Sequence, residues 1–116
     1  MNVSKFFKSF YYAVEGIFTA TKEQNLRFHL VSALVVVIAG FYTGLSTTEW
    51  LILILVMALV IGMEMVNSAI ERVVDLASPE IHPLAKQAKD IAAGAVLVFA
   101  VASVIIGLLI FLPKWF

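Results

Sequence analysis

Four side chains in one stretch of this sequence are spaced to act together. Glu64, Asn67, Glu71 and Asp75 follow one another at intervals of 3, 4 and 4 residues. At about 100° per residue they share roughly 80° of a helix face. Two further polar groups flank this stripe in sequence. One is Lys86, Lys89 and Asp90; the other is Glu23, Gln24, Asn25, Arg27 and His29. Several carboxylates and an amide are hard oxygen donors of the kind Mg²⁺ takes, and magnesium usually keeps waters while bridging a few carboxylates to substrate phosphates. Lys89 offers a phosphate a point charge. Glu64 lies deepest in apolar sequence, where poor solvation makes a carboxylate a better proton acceptor. A lipid alcohol would present its hydroxyl at that depth. Metal clamp, cation and base together suit phosphoryl transfer to a hydroxyl at a membrane surface.

Blander readings stand beside this one. An acidic stripe facing a basic helix end also fits an interhelical salt-bridge network, and for Arg72, Asp75 or Lys86 taken singly that reading is at least as good. His29 and His82 read as interfacial or packing residues, and two histidines make a histidine metal site a poor expectation. For Glu64 the rival is a proton or ion pathway, since ionisable groups inside a span are functional candidates by default. A small ion carrier predicts flux in liposomes without ATP consumption. A purely structural oligomer predicts that Glu64→Leu stabilises the assembly, because removing buried charge often does.

The elements that must position these groups are membrane spans. Of 116 residues, 62% are hydrophobic and only 14% charged, with a mean hydropathy of +1.01. A soluble fold of this length could not hide so much apolar surface. Eight basic and eight acidic residues cancel, so no net field recruits nucleic acid. The absence of cysteine removes disulfides and thiolate chemistry. No P-loop or G-x-G-x-x-G motif is present, so ATP recognition is not visible as a motif.

Each span needs about 20 mostly apolar residues. Residues 91–112 are uncharged and bounded by Lys89, Asp90 and Lys114, Trp115. A second run starts at Trp50 and is interrupted by Glu64; the first, Leu30 to Leu45, is short. Before them, Phe6, Phe7, Phe10, Tyr11, Val14, Ile17 and Phe18 occupy about 140° of a helix, the pattern of a helix lying flat in the headgroup region. The expected plan is an all-α membrane protein of one domain, residues 1–116. It has a surface helix at 1–27, spans at 28–47, 49–76 (with a cytoplasmic extension) and 86–113, and a cytoplasmic loop at 77–85. Seven basic residues fall in the N-terminal segment and the second connector, and only Lys114 falls elsewhere. The positive-inside rule then puts the N-terminus in the cytoplasm and the C-terminus outside.

Two segments carry a family resemblance. Glu64-Met65-Val66-Asn67-Ser68-Ala69-Ile70-Glu71-Arg72-Val73-Val74-Asp75 and Ala85-Lys86-Gln87-Ala88-Lys89-Asp90-Ile91-Ala92-Ala93-Gly94-Ala95-Val96-Leu97 resemble the prokaryotic diacylglycerol kinases in order and spacing. The resemblance extends over nearly the whole chain. It implies an ATP- and Mg²⁺-dependent lipid kinase of the cell membrane, assembled as a homotrimer with sites shared between protomers. It implies Glu64 as general base and Asn67 as an active-site polar group. Glu71 would bind metal with Glu23 as its partner, and Lys89 and Asp90 would belong to the nucleotide site. Lys8-Ser9-Phe10 and Glu23-Gln24-Asn25-Leu26-Arg27-Phe28-His29 are similar to the Gram-positive-type branch, which phosphorylates undecaprenol to undecaprenyl phosphate. The other branch phosphorylates diacylglycerol, and the chemistry of a primary hydroxyl does not choose between them.

Overall fold

A computed structural model describes residues 2–116. Met1, the first residue of the expected surface helix, lies outside the described residues. The chain forms four helices in order: α1 (Val3–Ala20), α2 (Gln24–Thr43), α3 (Thr47–Ala77) and α4 (Pro83–Trp115). Three of them, α2 to α4, are long and apolar enough to cross a membrane.

Each helix starts and stops on a local signal. Asn2 caps α1, its Oδ1 accepting the Lys5 amide at 3.2 Å. The Thr21–Glu23 turn then redirects the chain, and Gln24 to Arg27 become the first turn of α2. Recruiting these polar residues gives α2 20 residues, about 30 Å of helix, enough for a bilayer core. The apolar run alone was too short for that. α2 ends at Gly44, whose φ of 78° only glycine adopts without a Cβ penalty. Ser46 and Glu49 close a capping box on α3. His82 caps α4, its Nδ1 accepting the Leu84 amide at 3.1 Å, and Pro83 takes the first helical position.

α4 packs along α3, and α2 leans more lightly on the same pair. Leu53, Ile110 and Phe111 form a buried cluster with Val36, Ala39, Leu45, Met57 and Ile106 around it. Elsewhere large apolar side chains face outward, such as Phe41, Leu55 and Leu109. Hydrocarbon solvates such side chains as well as a protein core does, so spans need not hide them. The backbone is satisfied within each helix, as a membrane interior demands. The aromatic residues of α1, including Phe7, Phe10, Tyr11 and Phe18, are also exposed, while α1 rests against α3.

At 31 and 33 residues, α3 and α4 are each about 45–50 Å long, well beyond a 30 Å hydrocarbon layer. Glu64 lies 17 residues after Thr47, about 26 Å along the axis, a little less than the thickness of that layer. The remaining turns of α3 carry Asn67, Ser68, Glu71, Arg72 and Asp75 outward. The start of α4 runs beside them.

Candidate active site

The deepest part of the site is built from α3. Glu64, Asn67 and Ser68 are buried at 4%, 5% and 3% exposure. They are the only polar or charged side chains buried among the described residues. Burying such groups costs free energy unless each finds a partner. Two of the three partners come from the start of α2, far away in sequence.

Glu23, the residue preceding α2, does not use its carboxylate to cap that helix. Its Oε1 instead accepts from Ser68 Oγ at 2.5 Å and from Arg72 Nη1 at 2.7 Å. Arg72 also donates to the Ser68 hydroxyl and, at 3.3 Å, to the Ser68 carbonyl. This knot ties the α1–α2 turn to the middle of α3. One turn deeper, His29 Nε2 stands 4.0 Å from Glu64 Oε2. On α3 itself, Asn67 Nδ2 donates to Glu71 Oε1 at 3.1 Å.

One buried atom has no partner. Asn67 Oδ1 is shielded from solvent and makes no hydrogen bond. Leaving such an acceptor unpaired costs about 1–3 kcal/mol. It sits on the side chain whose nitrogen already holds Glu71. Glu71, Glu23 and this orphan oxygen are all hard donors, which suits magnesium. Among the described residues no group of three or more Asp, Glu or His side chains could hold a metal ion by itself.

Lys89 and Asp90 occupy a second cluster. Lys89 pairs with Asp75, while Asp90 pairs with Lys86 at 2.5 Å, one turn apart on α4. Asp75, Pro79, His82, Ala85, Lys86 and Lys89 are among the residues lining an open cavity of about 300 Å³. Asp75 is 11 residues beyond Glu64, about 16 Å along α3. Within one chain Glu64 and Asn67 lie deepest, Lys89 and Asp90 lie at the level of Asp75, and Glu71 stands between, 7 residues from Glu64 and 4 from Asp75.

The acidic stripe lies along α3 as its spacing requires, and Arg72 joins it as an interhelical ion pair with Glu23, the network reading open to it from the sequence, with Ser68 beside them. Ser68 and Arg72 follow Glu64 at intervals of 4 and 4, the spacing of neighbours along a helix face. That was a usable signal. His29 stands among the polar residues flanking the stripe in sequence, but its meeting with Glu64 depends on how α2 is rotated against α3.

Comparison with known proteins identifies the family. Residues 11–111 match the family described as prokaryotic diacylglycerol kinase. The chain belongs to that family. Family members named as enzymes share much of its sequence. The undecaprenol kinase of Bacillus subtilis (strain 168) is 54% identical over 113 residues, covering 97% of this chain and 92% of the relative. A diacylglycerol kinase of Synechocystis is 40% identical over 90% of this chain and 61% of its own longer length. A diacylglycerol kinase of Helicobacter pylori is 37% identical over 81% of this chain and 74% of the relative. Membership explains why a chain of this size keeps buried polar side chains on one helix: a kinase must handle charge.

Proposed function

We propose that this chain is a multi-pass membrane lipid kinase that transfers the γ-phosphoryl group of ATP to the hydroxyl of undecaprenol. The products are undecaprenyl phosphate and ADP. The observation that carries the acceptor is the near full-length match, at 54% identity, to an undecaprenol kinase. Diacylglycerol is the second candidate, since relatives named for it match at 40% and 37%.

In this reading Glu64 is the general base and takes the acceptor's hydroxyl proton. Its burial on α3, at the edge of the apolar layer, is where a lipid alcohol ends. Asn67 orients Glu71 through the 3.1 Å hydrogen bond. Glu71 and Glu23 would hold Mg²⁺, with Asn67 Oδ1 beside them. When bound, that ion would neutralise charge on the phosphates during transfer. Arg72 and Ser68 fix the Glu23 carboxylate against α3. Lys89 and Asp90 position the nucleotide from the start of α4.

The assembly that suits this chemistry is a homotrimer with sites shared between copies. The exposed apolar faces of α2 to α4 offer surface for both lipid and copy. In the cell membrane the N-terminus and the α3–α4 loop would face the cytoplasm, where ATP is, and the C-terminus would face outward. The exposed aromatic side chains of α1 would lie in the headgroup region.

The test incubates purified protein with ATP and Mg²⁺ and either undecaprenol or diacylglycerol in mixed micelles. Phosphate transfer to undecaprenol is expected, and chelation of magnesium should stop it. Transfer to neither lipid would remove the enzyme reading. A strong preference for diacylglycerol would replace the acceptor and leave the kinase in place.

A further inference from the structure

An apolar groove of about 330 Å³ runs between α2, α3 and α4. Val36, Leu53, Val60, Leu108 and Trp115 are among its lining residues, and His29 lines it as well. Val60 is one helical turn before Glu64, so the groove leads to the gap between His29 Nε2 and Glu64 Oε2. That gap is 4.0 Å, too wide for a direct hydrogen bond. An oxygen placed about 2.8 Å from both atoms, the usual distance for such bonds, would see them at an angle of about 90°. That angle is within about 20° of the tetrahedral angle between the hydrogen and lone-pair directions of a hydroxyl, a bend that two hydrogen bonds can share. A carboxylate only accepts, and a neutral imidazole protonated at Nε2 donates there. The two sides of the gap therefore match the two characters of an alcohol oxygen.

We propose that His29 and Glu64 form a two-point clamp for the acceptor hydroxyl, with His29 donating to its oxygen and Glu64 accepting its hydrogen. This rests on the kinase reading and adds to it the residue that orients the alcohol. The geometry leaves the second lone pair of the oxygen free for attack on phosphorus. In the reaction the hydroxyl proton passes to Glu64. A new bond forms between oxygen and the γ-phosphorus, and the bond from that phosphorus to the β-phosphate oxygen breaks to release ADP. His29 keeps its proton throughout. The acceptor's apolar chain occupies the groove, whose lining is almost wholly hydrocarbon. The hydroxyl is then the one polar group that reaches the gap.

Two measurements test the clamp. In wild-type protein labelled with ¹⁵N-histidine, without ATP or magnesium, undecaprenol should shift the His29 Nε2 resonance. The matching hydrocarbon without the hydroxyl should not, and His82 serves as the internal reference. In the phosphate-transfer assay, His29→Ala should lower kcat/KM for the lipid about tenfold, the loss expected for one hydrogen bond to a substrate hydroxyl. The KM for ATP should stay unchanged. His29→Gln, whose amide can still donate, should recover most of the loss. An Nε2 resonance that ignores undecaprenol, or that responds equally to the hydrocarbon, overturns the clamp. So does a His29→Ala variant with wild-type kcat/KM. If Nε2 responds to the hydroxyl but the wild type phosphorylates no lipid, the clamp stands and the kinase reading falls.

Discussion

The two ends of this helical bundle both carry ion pairs, polar hydrogen bonds and aromatic rings, and they use them differently. At the end where α2 turns into α3, every polar group named has its partner. Trp115 Nε1 donates to Thr43 Oγ1 at 2.9 Å, Lys114 pairs with Glu49 at 3.2 Å, and Glu49 also closes the capping box with Ser46. Trp50 packs on Gly40 so closely that a Cβ there would lie 2.5 Å from the ring. At the end where α4 begins, Asn67 Oδ1 is buried without a partner and His29 stops short of Glu64. Glu23 loads one oxygen with donors from Ser68 and Arg72. Satisfied polar groups hold helices together. Polar groups that stay buried and incomplete are the ones a ligand can complete, which is why the proposed chemistry is assigned to the second end.

Substitutions can break or sharpen this contrast. The largest effect is expected from Glu64→Gln. Loss of a general base costs about 10²–10⁴ in rate, so phosphate transfer should nearly vanish while the helical fold and assembly persist. Near-wild-type turnover with intact assembly would remove Glu64 as the base. Next is Glu71→Gln, which should raise the magnesium concentration for half-maximal rate about 10–100-fold. A magnesium titration of the initial rate checks it, and an unchanged midpoint would take Glu71 out of the ion's shell.

The other end should respond in stability instead of rate. Gly40→Ala drives a methyl group into Trp50, and overpacking of this kind costs about 1–3 kcal/mol. Its melting temperature in micelles should fall, with kcat per folded protein unchanged. The smallest effect is expected from Trp115→Phe. It keeps an aromatic ring beside Phe111, whose centroid is 5.1 Å from that of Trp115, and loses the hydrogen bond to Thr43, worth about 1 kcal/mol. A drop in kcat with either variant would mean that the two ends are coupled, against the division drawn above.

Much of the architecture was legible before folding. The apolar runs announce three spans, because a bilayer of fixed thickness demands a fixed length of hydrocarbon-compatible helix. The acidic stripe from Glu64 to Asp75 was equally legible, because helix periodicity depends on neighbours a few residues apart. The true extent of α2 was harder to read. Its first turn is made of Gln24, Asn25, Leu26 and Arg27, polar enough to resemble the surface segment before it. Only the turn at Thr21–Glu23 separates them.

By itself, then, the sequence determined the membrane setting, the number of crossings and the residues that share the face of α3. Local pattern and solvent are sufficient for those. The tertiary structure decided which distant groups meet. Glu23 reaches Ser68 across 45 residues and Arg72 across 49. His29 faces Glu64 across a gap that spacing along the chain does not encode. Such meetings depend on how far each helix is rotated about its own axis. That rotation is set by side-chain packing between helices, so no pattern within one helix could reveal it.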